Sequence, residues 1–265
     1  MAEARPAAKK KKPEQVEVRP TPILKQVRRT RVSDDVLLQL ADKIVKSEYA
    51  VGEKLPPERD LAVAFDVTRA SLREALRQLE NMGLISVRQG DGVYVEDFRT
   101  NASMDFVKFM FSTGVGIDVD FLVSVEEMRR MLALRMLELA AERADEESLA
   151  RLQAIADNFP TQVTPELLAG DWDFNFFHEL ALATHNQFFV YLLNTIKDVF
   201  RQIRLLYSEV EGSPASSTTK EIYQQLVEVL KMHDREKARE AGEARMDRYA
   251  TMLRGFLKTM ENKEQ

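Results

Sequence analysis

Residues 85–95, ISVRQGDGVYV, are the one stretch of this chain that reads as β structure. Two short β-prone runs flank Gln89-Gly90-Asp91-Gly92, which is a hairpin signal. The rest of the patterned sequence carries helical spacing. An isolated hairpin cannot enclose a core of its own. The fold must therefore be mostly α, with the hairpin attached to helices. Glycine is scarce, at 10 of 265 residues, which argues against glycine-rich nucleotide folds and for helices.

Ahead of the hairpin lie three short helical patterns. Residues 33–47 open with Ser33 as a plausible N-cap and Asp34 and Asp35 in the first turn. Leu37, Leu40, Ala41, Ile44 and Val45 then repeat at helical spacing. Gly52 and Pro56-Pro57 break the chain, and Pro57 suits the first turn of a helix over 57–65. Asp66-Val67-Thr68 makes a tight turn into the third pattern, 69–83, where Leu72, Ala75, Leu76 and Leu79 share a face and Gly83 is a C-cap signal. Three helices and a hairpin are the plan of a winged helix-turn-helix.

After Val95 the pattern changes. Residues 96–101 read as a linker. Helices are expected near 103–113, 118–143, 145–157, 165–184, 187–209, 217–232 and 234–260. The expected organisation is a basic arm over 1–30, a winged domain over 31–97, a linker over 98–102 and an all-helical domain over 103–262. The arm has ten Lys/Arg against three Glu within residues 1–31, a net of +7 that leaves −12 for the remainder. Proline and like charge both oppose a packed core, so the arm is expected to be disordered and to act on DNA phosphates, if at all, by electrostatics. The chain has no cysteine, which excludes disulfides, thiolate nucleophiles and cysteine metal sites. No run approaches eighteen apolar residues and no apolar stretch follows the N-terminal basic run. A cytoplasmic protein without membrane contact is expected.

On the third helix Arg69, Arg73 and Arg77 fall at i, i+4 and i+8, within about 80° of arc. Three guanidiniums therefore project together while the apolar stripe packs. Arginine is the side chain best shaped for guanine edges and phosphates. Thr68 can cap the helix, and Ser71 offers a hydroxyl to phosphate. Residues 32–98 nevertheless carry a net charge of −5, so DNA affinity has to come from local placement, dimerisation and the basic arm.

The run GEKLPPERDLAVAFDVTRASLREALRQLENMGLISVRQGDGVYV (52–95) resembles the winged helix-turn-helix of the GntR family of bacterial transcription regulators. The resemblance rests on Leu55-Pro56, Glu58-Arg59, Leu61-Ala62, Val67-Thr68-Arg69, Arg73 to Leu76, Leu79, Gly83-Leu84, Gly90, Gly92 and Val95. It implies that Arg59, Thr68, Arg69, Ser71 and Arg73 face DNA, with Gln89 and Gly90 at the wing tip. The operator it implies is a short double-stranded pseudo-palindrome read by a homodimer.

The helical remainder resembles the FadR-type C-terminal domain, an antiparallel bundle of six or seven helices with a ligand cavity. Residues 126–144 look like its signature helix, with Arg129 and Ala140-Ala141 in place, and 173–207 is the second match. Many members hold a divalent metal with one Asp and three His, the Asp lying four residues before the first His. Here Phe174 stands four before His178 and Asp173 five before, while Tyr223 and Arg245 stand at the second and third His positions. A lone imidazole cannot make such a site, so no metal and no cofactor are expected. The stretch from Asp173 to Tyr207 looks like the fatty-acid-responsive FadR regulators, in which an acyl-CoA enters the bundle and releases DNA. That implies an effector site built from Arg129, Asp173, Phe177, His178, Tyr223 and Arg245. Phe174, Phe176, Phe188, Phe189 and Phe200 are further candidates for a greasy wall. A small carboxylate held by Arg129, Tyr223 and Arg245 is the alternative. An architectural DNA-binding protein without ligand is another. No nucleophile or cofactor motif accompanies Asp173, His178 and Tyr223, so an enzyme is not expected.

Overall fold

The computed structural model describes residues 32–160, 171–208, 217–247 and 251. The arm over 1–30, the start of the helix expected from 165, and the residues after 251 lie outside the described residues, as do the side chains of Phe200 and Tyr207. The described chain is mostly α, with eleven helices and one two-stranded sheet.

The first helices are α1 (Val32–Val45), α2 (Glu58–Ala64) and α3 (Arg69–Asn81). Ser33, expected as a cap, lies inside the first turn of α1 and is buried, because the helix already begins at Val32. Thr68 caps α3 as its sequence suggests: its side chain accepts from the Ser71 amide at 3.1 Å. The strands are β1 (Ile85–Arg88) and β2 (Gly92–Val95), antiparallel with Ile85 opposite Val95 and Arg88 opposite Gly92. The hairpin loop is Gln89-Gly90-Asp91, with Gly90 in the left-handed region at φ 79°. One feature here is unexpected. Residues 52–55 run along the outer side of β2, with Gly52 donating to Val95, Val95 to Glu53 and Leu55 to Val93 at 2.8–2.9 Å. The wing is thus three segments wide.

The segment read as a linker contains a helical turn, α4 (Phe98–Asn101), capped by Asp97. Helix α5 (Met104–Thr113) follows, with Ser103 as its N-cap and Gly114 as a left-handed C-cap. Its faces are divided. Phe106, Phe109 and Met110 join the core of α1–α3 and the wing. Phe111 and Val107 pack with the second core. That core belongs to α6 (Val119–Arg143), α7 (Glu146–Asp157), α8 (Trp172–Ala183), α9 (Gln187–Ser208), α10 (Ser217–Lys231) and α11, described over 235–247. Every boundary expected within these described segments agrees to within two residues, apart from the start of α8. Asp118 and Asp145 cap α6 and α7. Helix α8 is central: it packs on α6, α7 and α9, and α10 packs on α7 and α6. Ion pairs Arg130–Asp247 and Arg235–Glu142 show that α6 and α11 run antiparallel. The left-handed residues His185 (φ 52°) and His233 (φ 52°) end α8 and α10. His233 is tied to α6, its Nδ1 lying 3.0 Å from the Ala141 carbonyl oxygen.

Candidate DNA-binding face and effector cavity

Helix α3 buries Leu72, Ala75, Leu76 and Leu79 and turns Arg69, Arg73 and Arg77 outward. Two of these arginines already hold carboxylates, Arg73 to Glu58 at 2.8 Å and Arg77 to Glu74 at 2.8 Å. The first pair joins the start of α2 to α3. Arg59 is exposed beside Asp60 at 3.3 Å. Exposed pairs of this kind are worth little in water and are readily exchanged for phosphate or a base edge. Thr68 and Ser71 also share a hydrogen bond between their hydroxyls at 3.0 Å. Gln89 and Gly90 are exposed at the hairpin tip.

Sequence reasoning missed three wing residues. Lys54, carried in by the added segment, pairs with Asp91 at 2.8 Å, and the Tyr94 hydroxyl donates to the same carboxylate at 2.7 Å. The Arg88 guanidinium lies 4.0 Å from the Tyr94 ring centre. These bonds hold the Asp91 carboxyl below its ordinary pKa, the hydrogen bond from Lys54 first and that from Tyr94 second. No local signal announces Lys54, whose partner is 37 residues away.

The C-terminal end of α3 is anchored to α5. The Ser103 amide donates to Met82 at 3.0 Å and its hydroxyl to the Asn81 carbonyl at 2.9 Å, which satisfies orphan carbonyls of the helix end. Gly83 makes the close approach possible. Its φ is 79°, and a Cβ there would stand 2.1 Å from the Asn101 carbonyl oxygen.

A cavity of about 270 Å³ lies between α5, α6, α8 and α9. Met104 and Val107 of α5, Phe121 to Met136 of α6, Phe177 of α8 and Leu193, Ile196 and Val199 of α9 supply its wall. Ser124 and Arg129 are the polar side chains in that lining. The wall grades from open to sealed: Met104 and Met128 are 38% and 36% exposed, whereas Ala133, Met136, Phe177 and Leu193 are buried. Arg129 is nearly buried and holds Glu126 through two bonds of 2.8 and 3.1 Å. Of the six phenylalanines considered from sequence, Phe177 alone lines this cavity among the described residues. Phe174 and Phe176 are core, Phe189 is half-buried and Phe188 faces solvent.

Asp173, Tyr223 and Arg245 meet beside the cavity, not in its lining. The Tyr223 hydroxyl donates to Asp173 and accepts from Arg245 at 2.5 Å, and Arg245 lies 3.6 Å from the Asp173 carboxylate. The guanidinium sits over the rings of Phe177 and Tyr223, at 4.7 and 4.8 Å. Positions 173 and 177 are about 40° apart on a helix, and 173 and 178 about 140°. Phe177 therefore shares the cluster with Asp173. His178 turns to the neighbouring face, where its ring packs 5.6 Å from Phe174. The sequence spacing, with Asp173 five places before His178, already allows this arrangement. The residue four places after Asp173, on the face that meets Tyr223 and Arg245, is Phe177 rather than His178. A phenyl ring, a phenol and a guanidinium do not fit a divalent metal. Among the described residues no three His, Asp or Glu side chains converge.

A winged helix-turn-helix joined through a shared helix to an all-α domain with an internal cavity is the architecture of a regulator class, and comparison with known proteins agrees. The model "Bacterial regulatory proteins, gntR family" matches residues 32–95, and the FCD domain model matches 124–248. The HTH-type transcriptional regulator LutR of Bacillus subtilis is 30% identical over 59% of this chain and 69% of its own length. The chain belongs to the GntR family. The HTH-type transcriptional regulator Mce2R of Mycobacterium tuberculosis is 36% identical over 54% of this chain, and the match spans 59% of Mce2R. A solved structure described as "Lar controls the expression of the Listeria monocytogenes agr system and mediates virulence" shares the fold at a TM-score of 0.52. It is 21% identical, covering 85% of this chain and 96% of that one. The named relatives are regulators and not enzymes. No helix among the described residues is long and apolar enough to cross a membrane.

Proposed function

We propose that this chain is a homodimeric transcription repressor of the cytoplasm that reads a short pseudo-palindromic operator and leaves it when an apolar-tailed acid, a fatty acid or its acyl-CoA, fills the cavity. Arg69 and Arg73 read bases, Arg59, Thr68 and Ser71 hold phosphate, and Gln89 and Gly90 enter the minor groove. The observation that carries the reading is the double service of α5. Met104 and Val107 line the cavity, while Ser103, one residue away, bonds the end of the recognition helix. A ligand that prefers one placement of α5 shifts the population of DNA-competent dimers. The apolar lining suits an alkyl chain, and Arg129, the cation of that lining, suits its acid or phosphate-bearing head. A small carboxylate would need Arg245, which already holds Asp173 and Tyr223.

The test is fluorescence anisotropy on an operator selected from random duplexes. Long-chain acyl-CoA should weaken binding at least tenfold, and Leu193→Trp, which fills the sealed end, should remove the response while sparing DNA binding. A response to short hydroxy acids but not to acyl-CoA would overturn the choice of effector.

A further inference from the structure

The cluster of Asp173, Phe177, Tyr223 and Arg245 has the spacing of a metal site and the chemistry of something else. Asp173 and Phe177 stand one helical turn apart on α8, Tyr223 comes from α10 and Arg245 from α11. Side chains from three helices converge on one point. Arg245 is 3% exposed and Tyr223 is sealed. A buried cation is costly unless it is paired and hydrogen-bonded. Here the carboxylate of α8, the phenol of α10 and two aromatic faces surround it. Arginine is suited to this position because it stays charged when buried, whereas lysine does not.

We propose that Arg245 is a tethered cation, taking the place and the cross-linking task of the divalent ion that metal-binding members of this fold hold with one Asp and three His. The three helices are thereby locked without any metal supply. One consequence concerns ligands. Phe177 lies between Arg245 and the cavity, facing both. An occupant of the cavity meets the Phe177 ring, and Arg245 is not in the lining.

The experiment uses the full chain and reads metal content and melting temperature, neither of which depends on the operator or the effector proposed above. The wild type should purify without stoichiometric zinc, nickel or manganese, and EDTA should leave its melting temperature unmoved. Arg245→Met should melt at least 10 °C lower, and Arg245→Lys should recover part of the loss. Combining Phe177→His, Tyr223→His and Arg245→His should complete a set of one Asp and three His. That variant should take up one nickel or zinc ion per chain, melt higher with the metal, and melt lower again with EDTA. A stoichiometric metal ion in the wild type overturns the proposal. So does an Arg245→Met protein that melts like the wild type, or a triple variant that refolds equally with and without metal and binds none.

Discussion

Arg73 and Arg245 each hold a carboxylate on another helix, and the two pairs do opposite work. Arg73 meets Glu58 at 2.8 Å with its side chain 67% exposed, so water screens the attraction and either partner leaves it cheaply. Arg245 meets Asp173 and Tyr223 in the interior, where a lost partner leaves a charge with nothing to solvate it. The comparison teaches that burial decides function. The exposed face of α3 holds its guanidiniums in loose pairs, which suits the proposed DNA contacts, whereas Arg245 is paired in the interior, as the proposed fastener requires.

The largest expected effect separates the two directly. Arg245→Met should cost about 3 kcal/mol in urea unfolding, because the Asp173 carboxylate, 23% exposed, loses its cation while it keeps the Tyr223 hydroxyl. Arg73→Met should stay within about 0.5 kcal/mol. Equal losses would erase the distinction. Gly83→Ala comes next. It combines a left-handed backbone with a contact against backbone at Asn101, so α4 must move. A loss of about 2–4 kcal/mol is expected. Gly90→Ala at the hairpin tip shares the positive φ but meets nothing within 4 Å, and should lose about 1 kcal/mol. Like losses at the two glycines would show that the seam between α3 and α4 is slack.

DNA binding sharpens the same contrast from the other side. Arg73→Ala should lose about 1–3 kcal/mol on the operator and less on a scrambled duplex. Arg59→Ala should weaken both duplexes alike and reduce the salt slope by about one. Arg129→Gln, on the cavity wall, should leave both DNA affinities unchanged in the absence of effector. Titration by fluorescence anisotropy at several salt concentrations checks all three.

What could be read from the sequence was local. The hairpin turn, the Thr68 cap, the arginine stripe of α3 and the bundle helices all follow from neighbours within a few residues. What could not be read was contact over distance. Residues 52–55 look like a loop because their hydrogen-bond partners lie 40 residues on, in β2. Helix α5 looks like the start of the bundle. Its MDFVKFMF run is apolar on several faces, and periodicity cannot say that Phe106, Phe109 and Met110 turn to the winged core. The site shows the same limit. Asp173, Phe177, His178, Tyr223 and Arg245 are all candidates from the resemblance, and the sequence does not say which of the adjacent Phe177 and His178 joins the cluster. Only the face of α8 that meets Arg245 decides between them.

The smallest expected effect lies on the wing, where Lys54 crosses to Asp91. Both groups are exposed, so the pair should add nothing measurable to global stability. Its signature is in titration. An aspartate held below its ordinary pKa binds its proton less readily folded than unfolded. Any stabilisation it brings is present above the unfolded value and fades as pH falls through the folded one. Lys54→Met removes the first cause of that depression and leaves the Tyr94 bond. The Asp91 carboxyl, followed by NMR, should therefore titrate higher in the variant, though not fully at its ordinary value. On DNA the same substitution removes a cation from the wing and uncovers a carboxylate beside the backbone. Affinity should fall at low salt for operator and scrambled duplex alike. Asp91→Asn in the Lys54→Met background should restore part of it, because the uncovered charge is gone. If Lys54→Met alone left the low-salt affinity unchanged, the wing would bind through its backbone, and Lys54 would be a prop for the hairpin rather than part of the DNA-binding face.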